Sequence, residues 1–170
     1  MLTQKLTQRD RRLGPGPRSV HLVDIENLAG HTAFDAAEVA RIAAEFHRTA
    51  VVASYDHVIV ASSHFTAPPT WLGIPNARRL VRSGANGADL ALLQVIDTED
   101  LPRRFDRVVV GSGDGIFSEP VARLQAAGCA VTVVSRRGAL SRQLRFAVRD
   151  VRYLDVHMEQ AQVVRLSEVA

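Results

Sequence analysis

Short apolar, β-branched runs alternate with helix-patterned segments along most of the chain, and this alternation constrains the fold more than any other feature. Runs at 20–25 (VHLVDI), 57–61 (HVIVA), 77–81, 107–110 (RVVV), 130–134 and 151–154 read as strands. Between them lie helical patterns at 35–47, where Asp35 is a candidate N-cap, at 88–96 (ADLALLQVI), at 116–127, stopped by Gly128, and at 140–148. Residues 64–75, with Pro68, Pro69 and Trp71, read as a loop carrying a short helix. Strands that are apolar throughout, rather than on alternate residues, are buried on both faces. Separated by helices, they indicate a parallel sheet covered on each side. The expected fold is a three-layer α/β/α sandwich.

A chain of 170 residues suits one such domain. The polar stretch 1–17, ending Gly14-Pro15-Gly16-Pro17, reads as a flexible tail, 18–155 as the domain, and 156–170 as a C-terminal helix with Val163, Val164, Leu166 and Val169 apolar. No apolar run reaches the roughly 20 residues of a membrane span, and the first 18 residues hold no apolar signal core, which favours a cytoplasmic protein with no membrane partner. The single cysteine, Cys129, excludes a disulfide framework within the chain and a zinc site built on several thiolates.

Open parallel sheets bind ligands beyond the carboxyl ends of their strands, so the residues that follow each strand carry the functional argument. Asp24, Glu26 and Asn27 follow the first strand, and Ser112-Gly113-Asp114-Gly115 follows the fourth. Asp89 lies in the first turn of the helix after Ser83-Gly84-Ala85-Asn86-Gly87. Each acid alone has an ordinary explanation: Asp24 as a turn cap, Asp89 at a helix N-terminus, Asp114 in a glycine turn. Three carboxylates gathered on one edge repel one another and call for a cation. Hard oxygen donors without Cys or paired His suit Mg²⁺ or Mn²⁺.

The segments HLVDIENL (21–28), GANGADLALL (84–93) and VVVGSGDGIF (108–117) resemble the three signature segments of the NYN domain family, within the PIN-like ribonuclease superfamily. The resemblance covers roughly 19–155. It implies a PIN-like sandwich and metal-dependent hydrolysis of RNA phosphodiesters by water, leaving a 5′-phosphate; the expected partner is single-stranded RNA. By it, Asp24, Asp89 and Asp114 match metal-binding acids, Asn27 a polar partner that orients water or a carboxylate, and Ser112 a hydroxyl that holds Asp114 or a phosphate. The chain departs from the family pattern at Ile116, where many members carry a further acid. That departure supports an alternative, an RNA-binding or scaffold protein of weak or no activity. Glu26 and Glu119 are conceivable substitutes, and Asp97 reads as peripheral.

Of 21 basic residues, 20 are Arg, which fits either genomic bias or a phosphate-facing surface. Arg82, Arg136 and Arg137 fall near the acids in the chain pattern and are candidate RNA contacts, with Arg78 and Arg79 upstream. Arg142, Arg145 and Arg149 fall on the next helix, and Ser135 ends the fifth strand. His64 reads as a surface histidine. Phe65 and Phe117 read as core, and Trp71 is the one candidate stacking platform. A dinucleotide site is disfavoured because Gly111–Gly115 spells G-x-G-x-G, and a serine hydrolase because no G-x-S-x-G occurs. A second copy, a protein partner, or an inhibitor of a toxin-like nuclease would leave no mark in the sequence.

Overall fold

A computed structural model describes residues 17–155; the expected C-terminal helix and all but the last residue of the expected tail lie outside the described residues. Six strands form one sheet: β1 (Ser19–Asp24), β2 (His57–Ser62), β3 (Arg78–Val81), β4 (Arg107–Gly111), β5 (Ala130–Arg136) and β6 (Asp150–Leu154). Every pairing is parallel and the order is β3-β2-β1-β4-β5-β6. All six residues of β1 are buried, as the unbroken apolar run requires.

Because side chains alternate along a strand, each strand feeds two cores. Val20 and Leu22 of β1, with Val108 and Val110 of β4, join α4 (Gly87–Thr98), α5 (Leu101–Arg104), α6 (Ser118–Ala126) and α7 (Arg142–Ala147). Val23 and Val109 join α1 (Ile25–Ala29) and α2 (Ala36–Ala50), with α3 (Ala67–Gly73) packed on α2. The result is the α/β/α sandwich expected from the pattern. No helix among the described residues is long and apolar enough to cross a membrane.

The first β-to-helix junction differs from the sequence reading. Ile25 begins α1 rather than ending β1, because Asp24 caps the new helix by accepting from the Asn27 amide at 3.1 Å. The four-residue α5 has no counterpart in the apolar pattern. Asp35 does cap α2, accepting from the Glu38 amide at 2.8 Å.

Candidate active site

The order of the strands reverses between β1 and β4, where the chain departs to opposite faces of the sheet, and this is where a doubly wound sheet opens a crevice. Asp24 ends β1, Glu26 and Asn27 follow in α1, and Ser112-Gly113-Asp114 leaves β4. Asp89 enters from α4, which packs against β1, β2 and β3.

Two glycines set these loops. A Cβ on Gly87 would stand 2.1 Å from the Arg82 carbonyl oxygen, so only glycine lets the first turn of α4, with Asp89, close onto the end of β3. A Cβ on Gly113 would meet the Ala139 carbonyl oxygen at 2.4 Å and Ser135 Oγ at 2.5 Å. The Gly113 amide donates to Asn27 Oδ1 at 2.9 Å, fastening the β4 loop to α1. Its carbonyl accepts from the Ser141 amide at 2.8 Å, fastening it to α7. Ser112, fully buried, accepts the Asp114 amide at 3.2 Å, and Asp114 Oδ1 accepts the Ile116 amide at 2.9 Å. Asn27 and Ser112 therefore act on the protein itself, holding the turn that carries Asp114.

Asp24 and Asp89 are both buried, and their carboxyls lie within electrostatic reach of each other. Burial is the largest cause that pushes the Asp24 carboxyl up to about 8, followed by the Asp89 charge. Burial also raises Asp89, and the charges of Asp114 and Glu26 reinforce it. Glu26 moves the other way despite burial, because it accepts from Thr66 Oγ1 at 2.5 Å and the Ser63 amide at 2.8 Å. Near neutral pH the Asp24–Asp89 pair thus retains a proton.

Among the described residues, four buried side-chain polar atoms lack a partner. Two belong to the buried His21–Asp56 pair, on strand β1 and before β2. The other two are Asp89 Oδ1 and Ser62 Oγ, and Ser62 is the last residue of β2. A proton held on a buried carboxyl and an oxygen with nothing to accept are what a hard cation would replace and satisfy. Among the described residues no three Asp, Glu, His or Cys side chains stand close enough together to hold a metal ion. The donor set accordingly fits an ion held by one or two carboxylates with water filling the rest, the usual mode for Mg²⁺.

The arginines separate into distinct roles. Arg136 Nε donates to the Asn27 carbonyl oxygen at 3.0 Å, and its guanidinium lies against Gly30 at the end of α1. It braces the first loop. Arg137 is exposed, over the Tyr153 ring at 5.2 Å and 3.9 Å from Asp155. Arg82 is exposed and its guanidinium has no partner among the described residues, as is true of Arg142, Arg145 and Arg149 on and after α7. Arg78 instead pairs with Glu99, and Glu119 and Asp97 both pair with Arg123, outside the acid group. Ile116 is half-buried and packs against the α4–α7 core.

Among the aromatic residues, Phe117 is fully buried, as expected. Phe65, expected in the core, is 90% exposed. An isolated apolar residue in a loop carries no periodic signal that could have shown its direction. Trp71 is partly exposed with the Arg79 guanidinium 5.3 Å from its ring centre, so one face is already covered. His64 is exposed, as expected, with Nδ1 2.6 Å from Ser83 Oγ.

Comparison with known proteins agrees with this architecture. The NYN domain model matches residues 19–155. The chain is 37% identical over 70 residues to the Low amplitude and bright protein LabA of Synechococcus elongatus, a match spanning 41% of this chain and 37% of that protein. The chain thus aligns with well under half the length of that relative. A crystal structure of a protein of unknown function from Vibrio parahaemolyticus superposes with a TM-score of 0.55 at 17% identity, over 85% of this chain and 98% of that one. That likeness shows a shared α/β fold.

Proposed function

The chain belongs to the NYN domain family, and on that footing we propose that it is a divalent-metal-dependent ribonuclease acting on single-stranded RNA. The observation that carries the reading is the buried carboxyl pair Asp24–Asp89 at the sheet's switch point, with Asp89 Oδ1 unpartnered among the described residues. In this reading Asp24 and Asp89 would hold Mg²⁺ or Mn²⁺, with the charge of Asp114 beside them on the turn after β4. Such an ion, when bound, polarises a phosphoryl oxygen and lowers the pKa of bound water.

The chain's own residues supply the rest. Asp24 and Asp89 would hold the ion as carboxylates, without the proton that burial otherwise keeps on Asp24. Asn27 and Ser112 hold the turn that carries Asp114, one by the Gly113 amide and one by the Asp114 amide. Arg136 keeps Asn27 in place, and the unpartnered Arg82, with the exposed Arg137, meets the RNA backbone. The test is cleavage of single-stranded RNA by the purified chain with Mn²⁺ or Mg²⁺, set beside Asp89→Asn.

A second reading has one observation in its favour. With Ile116 packed against the core in place of an acid, the carboxylates do not close into a cage. On that reading the chain binds RNA without cutting it, and it would show RNA affinity with no metal-dependent turnover.

A further inference from the structure

Beside the acids, the loop from β2 to α3 is pinned at both ends. The Ser63 amide and the Thr66 hydroxyl, which bracket His64 and Phe65, both donate to Glu26. Glu26 in turn lies within electrostatic reach of Asp24 and Asp89. The tip of this loop is fixed a second time. Ser83 Oγ accepts from the His64 amide at 3.1 Å and bonds its Nδ1 at 2.6 Å, and Ser83 belongs to the loop that delivers Asp89. Phe65 is thus carried on a two-residue tip tied to α1 and to the loop that delivers Asp89. Its ring is 90% exposed, and among the described residues no other ring and no guanidinium lies against it.

Single exposed apolar residues are common and need no explanation by themselves. Phe65 differs because its backbone is held at both neighbours while its ring packs on nothing. A structural role would bury the ring, and a tolerated accident would not need the anchoring. Arg82, just before Ser83 in the chain and with its amide bonded to the Ser62 carbonyl, is exposed and its guanidinium has no partner among the described residues. A bare aromatic face and a free cation beside a carboxylate site are the two elements that hold a single-stranded polynucleotide, one for a base and one for the backbone.

We propose that Phe65 is the base-stacking platform of the site, taking an unpaired nucleobase of single-stranded RNA whose backbone runs past Arg82 toward Asp24 and Asp89. The proposal rests on the ribonucleic-acid reading above and adds the residue that reads the base. Because every base has a π-face, this contact confers preference for unpaired strands rather than for a sequence. Trp71, the aromatic that the sequence favoured, has one face under Arg79.

The test uses the full chain and a short fluorescent single-stranded RNA, with binding read by anisotropy in Ca²⁺ and in EDTA. Phe65→Ala should weaken binding by about 5- to 150-fold, the span that stacking on an aromatic residue supplies per base. Phe65→Trp should retain or strengthen it. An abasic strand of equal length should bind wild type and Phe65→Ala alike. Equal affinity of wild type and Phe65→Ala for the normal strand would overturn the proposal, as would no binding by either protein. An equal loss on the abasic strand, or a change only in self-association, would also overturn it and point to a protein contact. Phe65-dependent binding without any metal-dependent cleavage would remove the nuclease reading and leave this one standing. Cleavage unaffected by Phe65→Ala at subsaturating RNA would do the reverse.

Discussion

Asp24 and Asp89 are buried neighbours at the carboxyl end of the sheet, where burial and the Asp89 charge together hold a proton on Asp24. An unfolded chain releases that proton near the ordinary carboxyl value of 3.8, whereas the native chain keeps it to about 8. Between those values the native state binds more protons than the unfolded state, so stability falls as pH rises. Thermal melts of metal-free protein should give a higher Tm at pH 5.5 than at pH 8. Added Mn²⁺ should raise Tm more at pH 8, since the ion displaces the proton. A Tm that rises steadily with pH in EDTA would show that the two acids are not coupled in this way.

The turn after β4 tolerates only glycine at 113. Gly113→Ala would place a methyl 2.4 Å from the Ala139 carbonyl oxygen. The expected loss is about 1–3 kcal/mol in urea unfolding, with activity falling further than stability as the turn shifts Asp114. Wild-type stability in this variant would mean that the loop is looser than its contacts show.

Asn27 holds the same turn from the other side. Asn27→Ala leaves the buried Gly113 amide without its acceptor, at about 1–3 kcal/mol. Metal affinity, read by calorimetry, should fall with it, because Asp114 loses its support. Asn27→Asp keeps an acceptor and should retain most of the stability.

Arg136 and Arg82 should respond oppositely. Arg136→Ala removes the donor to the Asn27 carbonyl and should cost about 1.5–3 kcal/mol of stability. Arg82→Ala touches no side-chain partner, so stability should stay within about 0.5 kcal/mol of wild type. Its RNA affinity should fall and the salt slope should drop by about one. The opposite pattern would exchange their roles.

Much of this architecture was legible in the residue pattern. Unbroken apolar runs such as RVVV can be buried on both faces only in a covered parallel sheet, and the sheet order puts Asp24 and the Ser112–Asp114 turn side by side. What stayed hidden depends on contacts between distant segments. Nothing local shows that Arg136, at the end of β5, reaches back to Asn27, or that Glu26 ties down Ser63 and Thr66. Burial of Ile25 in the first helix rather than the strand follows from one cap, Asp24 to the Asn27 amide, which competes with strand continuation over a single residue. Phe65 was misread because hydrophobicity without periodicity gives no direction.

The most direct test of the central claim is cleavage of a labelled single-stranded RNA by the purified chain in Mn²⁺, Mg²⁺ and EDTA, beside Asp89→Asn prepared identically. The account predicts cleavage that requires the metal, leaves 5′-phosphate ends, and falls by at least a hundredfold in the variant, on the order of 3 kcal/mol of barrier. A folded wild-type protein that binds the RNA in the presence of metal and never cuts it would contradict the account.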